Sequence, residues 1–242
     1  MSSTTVAASR AVLLASVALA LGACDVTHFQ SPPGSTVSAC DESFVGAWLL
    51  TGPDEDLATC RSKGDCDFVV VDAHCSGWHG FEKGVPQDDK DRAMMSHVHV
   101  EFADIRHRKV ISLGIDADSA TPDDSGWPRQ HLFFRYEAGH DIIRLYGVDG
   151  TRVEQLIAAN IVHGWTKKAP LKARPGAAPS PAVPGAAREP GFLSRDIYVQ
   201  GDANEMARIA LLPGVFEDSP FVLLKRVDPA DIVTSAPGTS SP

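Results

Sequence analysis

His97, His99 and Glu101 stand at alternate positions in His97-Val98-His99-Val100-Glu101-Phe102. Alternate side chains of an extended strand share a face, so two imidazoles and a carboxylate would project together. That is a donor set for a divalent transition metal, provided that neighbouring strands supply the remaining ligands. The same alternation describes the wet face of a half-buried sheet, and this plainer reading is preferred, with no metal or other cofactor expected. His74 and His79 flank Cys75 and Trp78, where a Gly-rich turn explains them as well as a site does. Asp116, Asp118, Asp123 and Asp124 lack the sixth-position glycine of a calcium loop and read as a solvated acidic segment. Glu137 and Asp141 are spaced as paired carboxylates, but hairpin ends are commonly charged. No Gly-x-Ser-x-Gly, His-Glu-x-x-His or phosphate-cradling glycine loop is present. Nothing therefore argues positively for catalysis. A metal-dependent hydrolase on the His97/His99/Glu101 face is kept as the least favoured of three readings.

The elements that would carry these residues are mainly strands. Residues 44–50, 67–72, 97–102, 109–115, 131–137, 142–148, 194–200 and 221–227 show β-branched runs or strict apolar alternation. Thr151-Arg152-Val153-Glu154 fits a capping box that opens a short helix over 152–159, ended by Asn160. Asp202 repeats the capping logic before Met206, Ile209 and Ala210, and Pro213-Gly214 stops that helix. About eight strands and two short helices, with neighbours close in sequence, predict an antiparallel barrel or strongly curved sheet. One domain over 41–228 is expected. It would be interrupted by an Ala/Pro-rich disordered insertion at 167–191 and followed by a disordered tail at 229–242.

The charge balance excludes one class of partner. With Lys and Arg totalling 22 against 31 Asp and Glu, the net charge is −9 and no basic cluster offers a nucleic-acid footprint. The cysteines are five, an odd number. Setting Cys24 aside leaves Cys40, Cys60, Cys66 and Cys75, which suit two disulfides in an oxidising compartment. Three pairings are open. Cys60–Cys66, closing a short loop, and Cys40–Cys75, tying the start of the domain to its second strand, are favoured.

Cys24 is set aside because of what precedes it. Ala11 to Ala20 is an uncharged apolar run, about half the length that a membrane span needs, and fits the core of a signal peptide over 1–23. It closes on Leu21-Gly22-Ala23-Cys24. This tetrapeptide resembles the lipobox of bacterial lipoproteins. The resemblance implies lipidation of Cys24, cleavage before it, and anchorage to a membrane with the domain facing the periplasm. Asp25 resembles the signal that retains such proteins in the inner membrane of enteric bacteria, a rule that does not hold in all bacteria, so inner versus outer stays open. Residues 24–40, with Pro32-Pro33-Gly34, read as a flexible tether.

Gly46-Ala47-Trp48 in the first domain strand and Arg226 in the last resemble the Gly-x-Trp and the overlying Arg of lipocalins. That resemblance implies an eight-stranded barrel and an apolar small-molecule ligand. Val98, Val100, Leu132, Phe134 and Leu145 are the expected lining. The favoured function is a non-enzymatic, lipid-anchored binding or accessory module. The second reading is a protein-interaction lipoprotein, with another envelope protein as partner and a barrel filled by its own side chains.

Overall fold

A computed structural model describes residues 24–53, 55–63, 66–75, 77–82, 85–86, 98–117, 125–170 and 192–234. Among these residues, twelve strands form one mixed sheet. In chain order they are β1 (Cys24–Phe29), β2 (Gly46–Thr51), β3 (Asp67–Val71), β4 (Trp78–Glu82), β5 (Val85–Pro86), β6 (Val98–Ile105), β7 (Arg108–Asp116), β8 (Arg129–Ala138), β9 (Ile142–Tyr146), β10 (Gly164–Pro170), β11 (Phe192–Val199) and β12 (Val222–Arg226). Four α-helices accompany them: α1 (Leu57–Lys63), α2 (Gly150–Ala158), α3 (Ala203–Ala210) and α4 (Pro229–Thr234). None is long and apolar enough to cross a membrane.

The sheet branches at β8. One edge of β8 pairs with β7; the other pairs with β9 near its end and with β1 near its start, where Phe29 lies opposite His131. From this strand an antiparallel series runs β6-β7-β8-β9-β12-β2-β3-β4. β5 adds to the far edge of β4, and among the described residues neither β4 nor β5 pairs with β6, so the sheet is not closed. Residues 38–40 lie at this seam. Ser38 exchanges both backbone hydrogen bonds with Phe102 of β6 at 2.8 Å, and Cys40 is disulfide-bonded to Cys75, just before β4. The other disulfide joins Cys60 of α1 to Cys66. On the far side of the branch, β1 runs parallel to β11, and β10 runs antiparallel to it.

Alternation fills both faces of β8. Phe134 and Tyr136 enter a core with Phe44, Trp48, Phe102 and Ile111, while Phe133 enters a second core with Phe29, Val153, Ile197, Met206 and Ile209. α2 and α3 close that second core with their apolar stripes, Val153/Leu156 and Met206/Ile209. Each such side chain contributes roughly 1.5–3 kcal/mol when fully buried.

Several expectations change. The fold is mainly β as expected, but the sheet is mixed and open, and two more α-helices form than sequence reasoning counted. The tether begins instead as strand β1, because Phe29 is wholly buried and lies flat on Phe133 with centroids 4.0 Å apart. Lys167 to Pro170 belong to β10 rather than to the insertion. The start of the expected tail forms α4, where Ile232 is 3% exposed against Leu49 and Phe68. The cap of α2 is Asp149, which accepts the Arg152 N–H at 3.0 Å, so Thr151 lies inside the helix. Asp202 caps α3 as expected, accepting from Glu205 N–H at 2.9 Å. Asn160 takes φ of 56° just past the end of α2. Residues 1–23, where a signal peptide is expected, residues 171–191 and residues 235–242 lie outside the described residues.

Candidate functional site

Strands β6, β7 and β8 carry the polar row. Their register sets His99 opposite Gly114 and Gly114 opposite His131, Glu101 opposite Ser112, and Asp116 opposite Arg129. His99 Nε2 lies 2.9 Å from Asp116 Oδ2, and Arg129 Nε donates to Asp116 Oδ1 at 2.6 Å. These two bonds hold the Asp116 carboxyl down at about 2. Ser112 Oγ lies 3.0 Å from His131 Nδ1, and Glu101 Oε2 lies 3.6 Å from the same nitrogen. Gly114 has no side chain for a packing reason: a Cβ there would stand 3.0 Å from Arg129 Cδ and 3.3 Å from the His131 ring. The His131 side chain is 5% exposed; burial, then Arg129 and His99, push it down to about 4, so it is neutral at pH 7. Burial pushes the Glu101 carboxyl up against the pull of Arg129 and His99. Its Oε2 is buried and has no hydrogen-bond partner among the described residues.

Ser112, His131 and Glu101 have the composition of a nucleophile–base–acid triad but not its geometry. Both neighbours approach the same imidazole nitrogen, whereas a relay needs one on each. Ser112 is also fully buried, so no substrate reaches it. Of the metal constellation, His97 lies outside the described residues, and His99 and Arg129 together occupy both oxygens of Asp116. No group of three or more His, Cys, Asp or Glu among the described residues could hold a metal ion. His79 Nε2 lies 3.1 Å from Asp72 Oδ2. Glu137 accepts from Arg135 and from Tyr146 Oη, and Asp141 bonds its exposed neighbour His140, so each carboxylate has its own partner.

The expected ligand lining divides. Phe134 is 7% exposed inside the first core; Leu132 and Leu145 pack half-buried against it. Val98 and Val100 instead line a cavity of about 440 Å³ at the seam, with Trp78, Cys75, Gly77 and Ala39 from the other side. His99 and Glu101 complete its described lining. Below it the interior is closed by rings: Phe44 stands 5.0 Å from Phe102, 5.1 Å from Tyr136 and 5.7 Å from Trp78. A second cleft, of about 510 Å³, lies at the β6–β7 turn. Glu137, Glu217 and Asp218 share its lining, and of its cations Arg108, Lys109 and Arg135 are already bonded to Ala210 O, Asp41 and Glu137.

The start of β2 forms a knot. Trp48 Nε1 donates to Phe44 O at 2.6 Å. The Arg226 guanidinium carbon sits 4.2 Å over the Trp48 ring; Nη1 donates to Val45 O and Nε to His140 O. Next to it, Asp41 binds Ser43, Tyr136 Oη at 2.6 Å and Lys109 Nζ at 2.9 Å. Burial pushes the Asp41 carboxyl up, but these bonds outweigh it and hold it far below the usual carboxylate range. Burial and the bond to Asp41 push the Tyr136 hydroxyl up.

No family model, curated protein or solved structure matches the chain.

Sequence reasoning missed His131, Ser112, Arg129 and Trp78. Pairing 109–115 with 131–137 in antiparallel register would have aligned the first two with Glu101, but nothing local fixes that register. Trp78 had no signal beyond its Gly-rich surroundings.

Proposed function

We propose that this chain is a lipid-anchored protein of the bacterial envelope. Its β domain is a lipocalin-like barrel, open along one seam, that takes an apolar small molecule there without catalysing a reaction. The observation that carries the binding reading is the seam cavity, where Trp78 of β4 faces Val98 and Val100 of β6 over about 440 Å³, within the usual size range of ligand pockets. The barrel reading rests on the strand series β6 through β4 and on Arg226 stacked over Trp48 beside Gly46. The anchor reading rests on Leu21-Gly22-Ala23-Cys24 and on the pairing of the other four cysteines, which leaves Cys24 as the odd thiol.

An environment-sensitive apolar dye tests the binding reading. Titrated into the full chain carrying Cys24→Ala, it should bind one site at micromolar concentration, and Trp78→Ala should weaken it at least tenfold. Absence of saturable binding would sink the reading. It would favour the second one, a domain filled by Phe44, Trp48, Phe102 and Tyr136 that serves contacts with another envelope protein. The anchor has its own test. Cys24→Ala should abolish acyl labelling and release the protein from the membrane fraction; retention there would refute it.

A further inference from the structure

The β6–β7 hairpin turns on Arg106 and His107, between the paired residues Ile105 and Arg108. Their φ values are 51° and 69°. A two-residue turn of this hand favours Asn, Asp or Gly, because other side chains are strained in the left-handed region. The chain accepts that strain at two successive residues, and both line the cleft of about 510 Å³ at this turn. Arg106 is exposed, and its guanidinium has no hydrogen-bond or ion-pair partner among the described residues. The His107 ring is exposed and unpartnered among them as well.

The segment that follows α3 brings charge of the other sign. Glu217 and Asp218 line the same cleft, and neither carboxylate meets a donor among the described residues. Burial and Asp149 push the Glu217 carboxyl up, and no cation beside it pulls it down. The charges between the two ends are engaged: Arg135 donates to Glu137 at 2.7 Å and Arg108 to Ala210 O at 2.7 Å. Leu211 and Phe216 add an apolar part to the lining. The cleft therefore offers unpaired groups of both signs, with no ion pair between them among the described residues.

We propose that this cleft is a second binding site, independent of the seam, for a small zwitterion such as a short unblocked peptide. The carboxylate of the ligand meets Arg106 and His107, its ammonium meets Glu217 and Asp218, and its body lies by Leu211 and Phe216. The guanidinium fork matches a carboxylate, and an ammonium relieves two acids that no cation attends. A plain anion would enter beside Glu217 and Asp218, and a plain cation beside Arg106. Each meets a repulsion that a zwitterion turns into an attraction.

Titration calorimetry with trialanine decides the matter, run beside its N-acetyl, C-amide and doubly blocked forms at pH 7, where a peptide amine is largely protonated. The protein is the full chain carrying Cys24→Ala. Trialanine should bind at least tenfold tighter than either singly blocked form. Arg106→Gln should bring it to the level of the C-amide and leave the C-amide unchanged. Glu217→Gln combined with Asp218→Asn should bring it to the level of the N-acetyl form and leave that form unchanged. Either singly blocked form binding as well as trialanine would reduce the ligand to a plain cation or a plain anion and overturn the assignment. Loss of C-amide binding in Arg106→Gln would show that the turn acts on the fold and would also overturn it. Equal affinity for all four peptides, or binding by none, would refute the site.

Discussion

Replacing Gly46 by alanine places a methyl group 2.5 Å from Arg226 Nη1, at a residue whose φ is 131°. Two costs arise. The backbone conformation is one that L residues rarely adopt, which costs about 1–3 kcal/mol. The methyl also drives the guanidinium off the Trp48 ring and away from Val45 O. At an exposed arginine the ring contact contributes about 0.5–1 kcal/mol and the charged hydrogen bond about 1 kcal/mol more. Gly46→Ala should therefore cost about 3–4 kcal/mol, and Arg226→Ala about 2 kcal/mol. The double variant has no guanidinium left to displace, so its cost should fall short of the sum by about 1–2 kcal/mol. Urea denaturation followed by tryptophan fluorescence measures all three, and near-ultraviolet circular dichroism reports the setting of Trp48. Additivity within about 0.5 kcal/mol would refute the claim that Gly46 is kept free of a side chain by Arg226.

Four other outcomes follow from the same geometry. His131 is held at about 4, against an ordinary value of 6.5, so between these values the unfolded chain takes up a proton that the folded one refuses. Stability should fall as pH drops through that window by at most about 3 kcal/mol, partly offset by Glu101, whose raised carboxyl is relieved by protonation; His131→Gln should flatten the slope of urea midpoint against pH, and an unchanged slope would refute it. Asp41→Asn should cost about 2–3 kcal/mol through the bonds from Ser43, Tyr136 and Lys109, and a variant as stable as the parent would show that this network is ornamental. Phe29→Ala should cost about 3–5 kcal/mol if β1 is part of the second core, whereas a tether residue would be neutral. Replacing Cys40 and Cys75 together by alanine should cost about 4 kcal/mol and replacing Cys60 and Cys66 about 2 kcal/mol; the reverse order would mean that loop length is not what sets their effects.

Legibility from sequence followed the range of the interactions. Asp202 could be read as a cap because its partner is three residues away, and β6 through β9 could be read because alternation is local and their connections are mostly short. Gly46, Trp48 and Arg226 were legible only by resemblance, since a stack between residues far apart in the chain has no local signature. β1 was misread because the Pro/Gly run just after it dominated its composition, while its pairing partner, β11, lies beyond a long Ala/Pro stretch. β10 was absorbed into that stretch because Lys167 to Pro170 share its composition. At the site, His99 and Glu101 could be placed on one face, but their fates diverged. Asp116 takes the first into a hydrogen bond, while the second, though Arg129 and His99 pull on it, keeps a buried oxygen with no hydrogen-bond partner among the described residues.

The parallel pairing of β1 with β11 also orders events in time. Most strands here meet a neighbour soon after it is made, but β1 touches β8 only at Phe29 and finds its main partner, β11, about 170 residues further along (Cys24 opposite Ser194). Such distant pairings are slow to form, because a large loop must close before any contact rewards it. The second core, into which Phe29 fits, is therefore completed late, after β7, β8 and β9 have already assembled around their own hairpins. During that interval Phe133 lacks its stacking partner, and the open flank of β8 beside His131 is the stretch where a chaperone or a stray strand would bind.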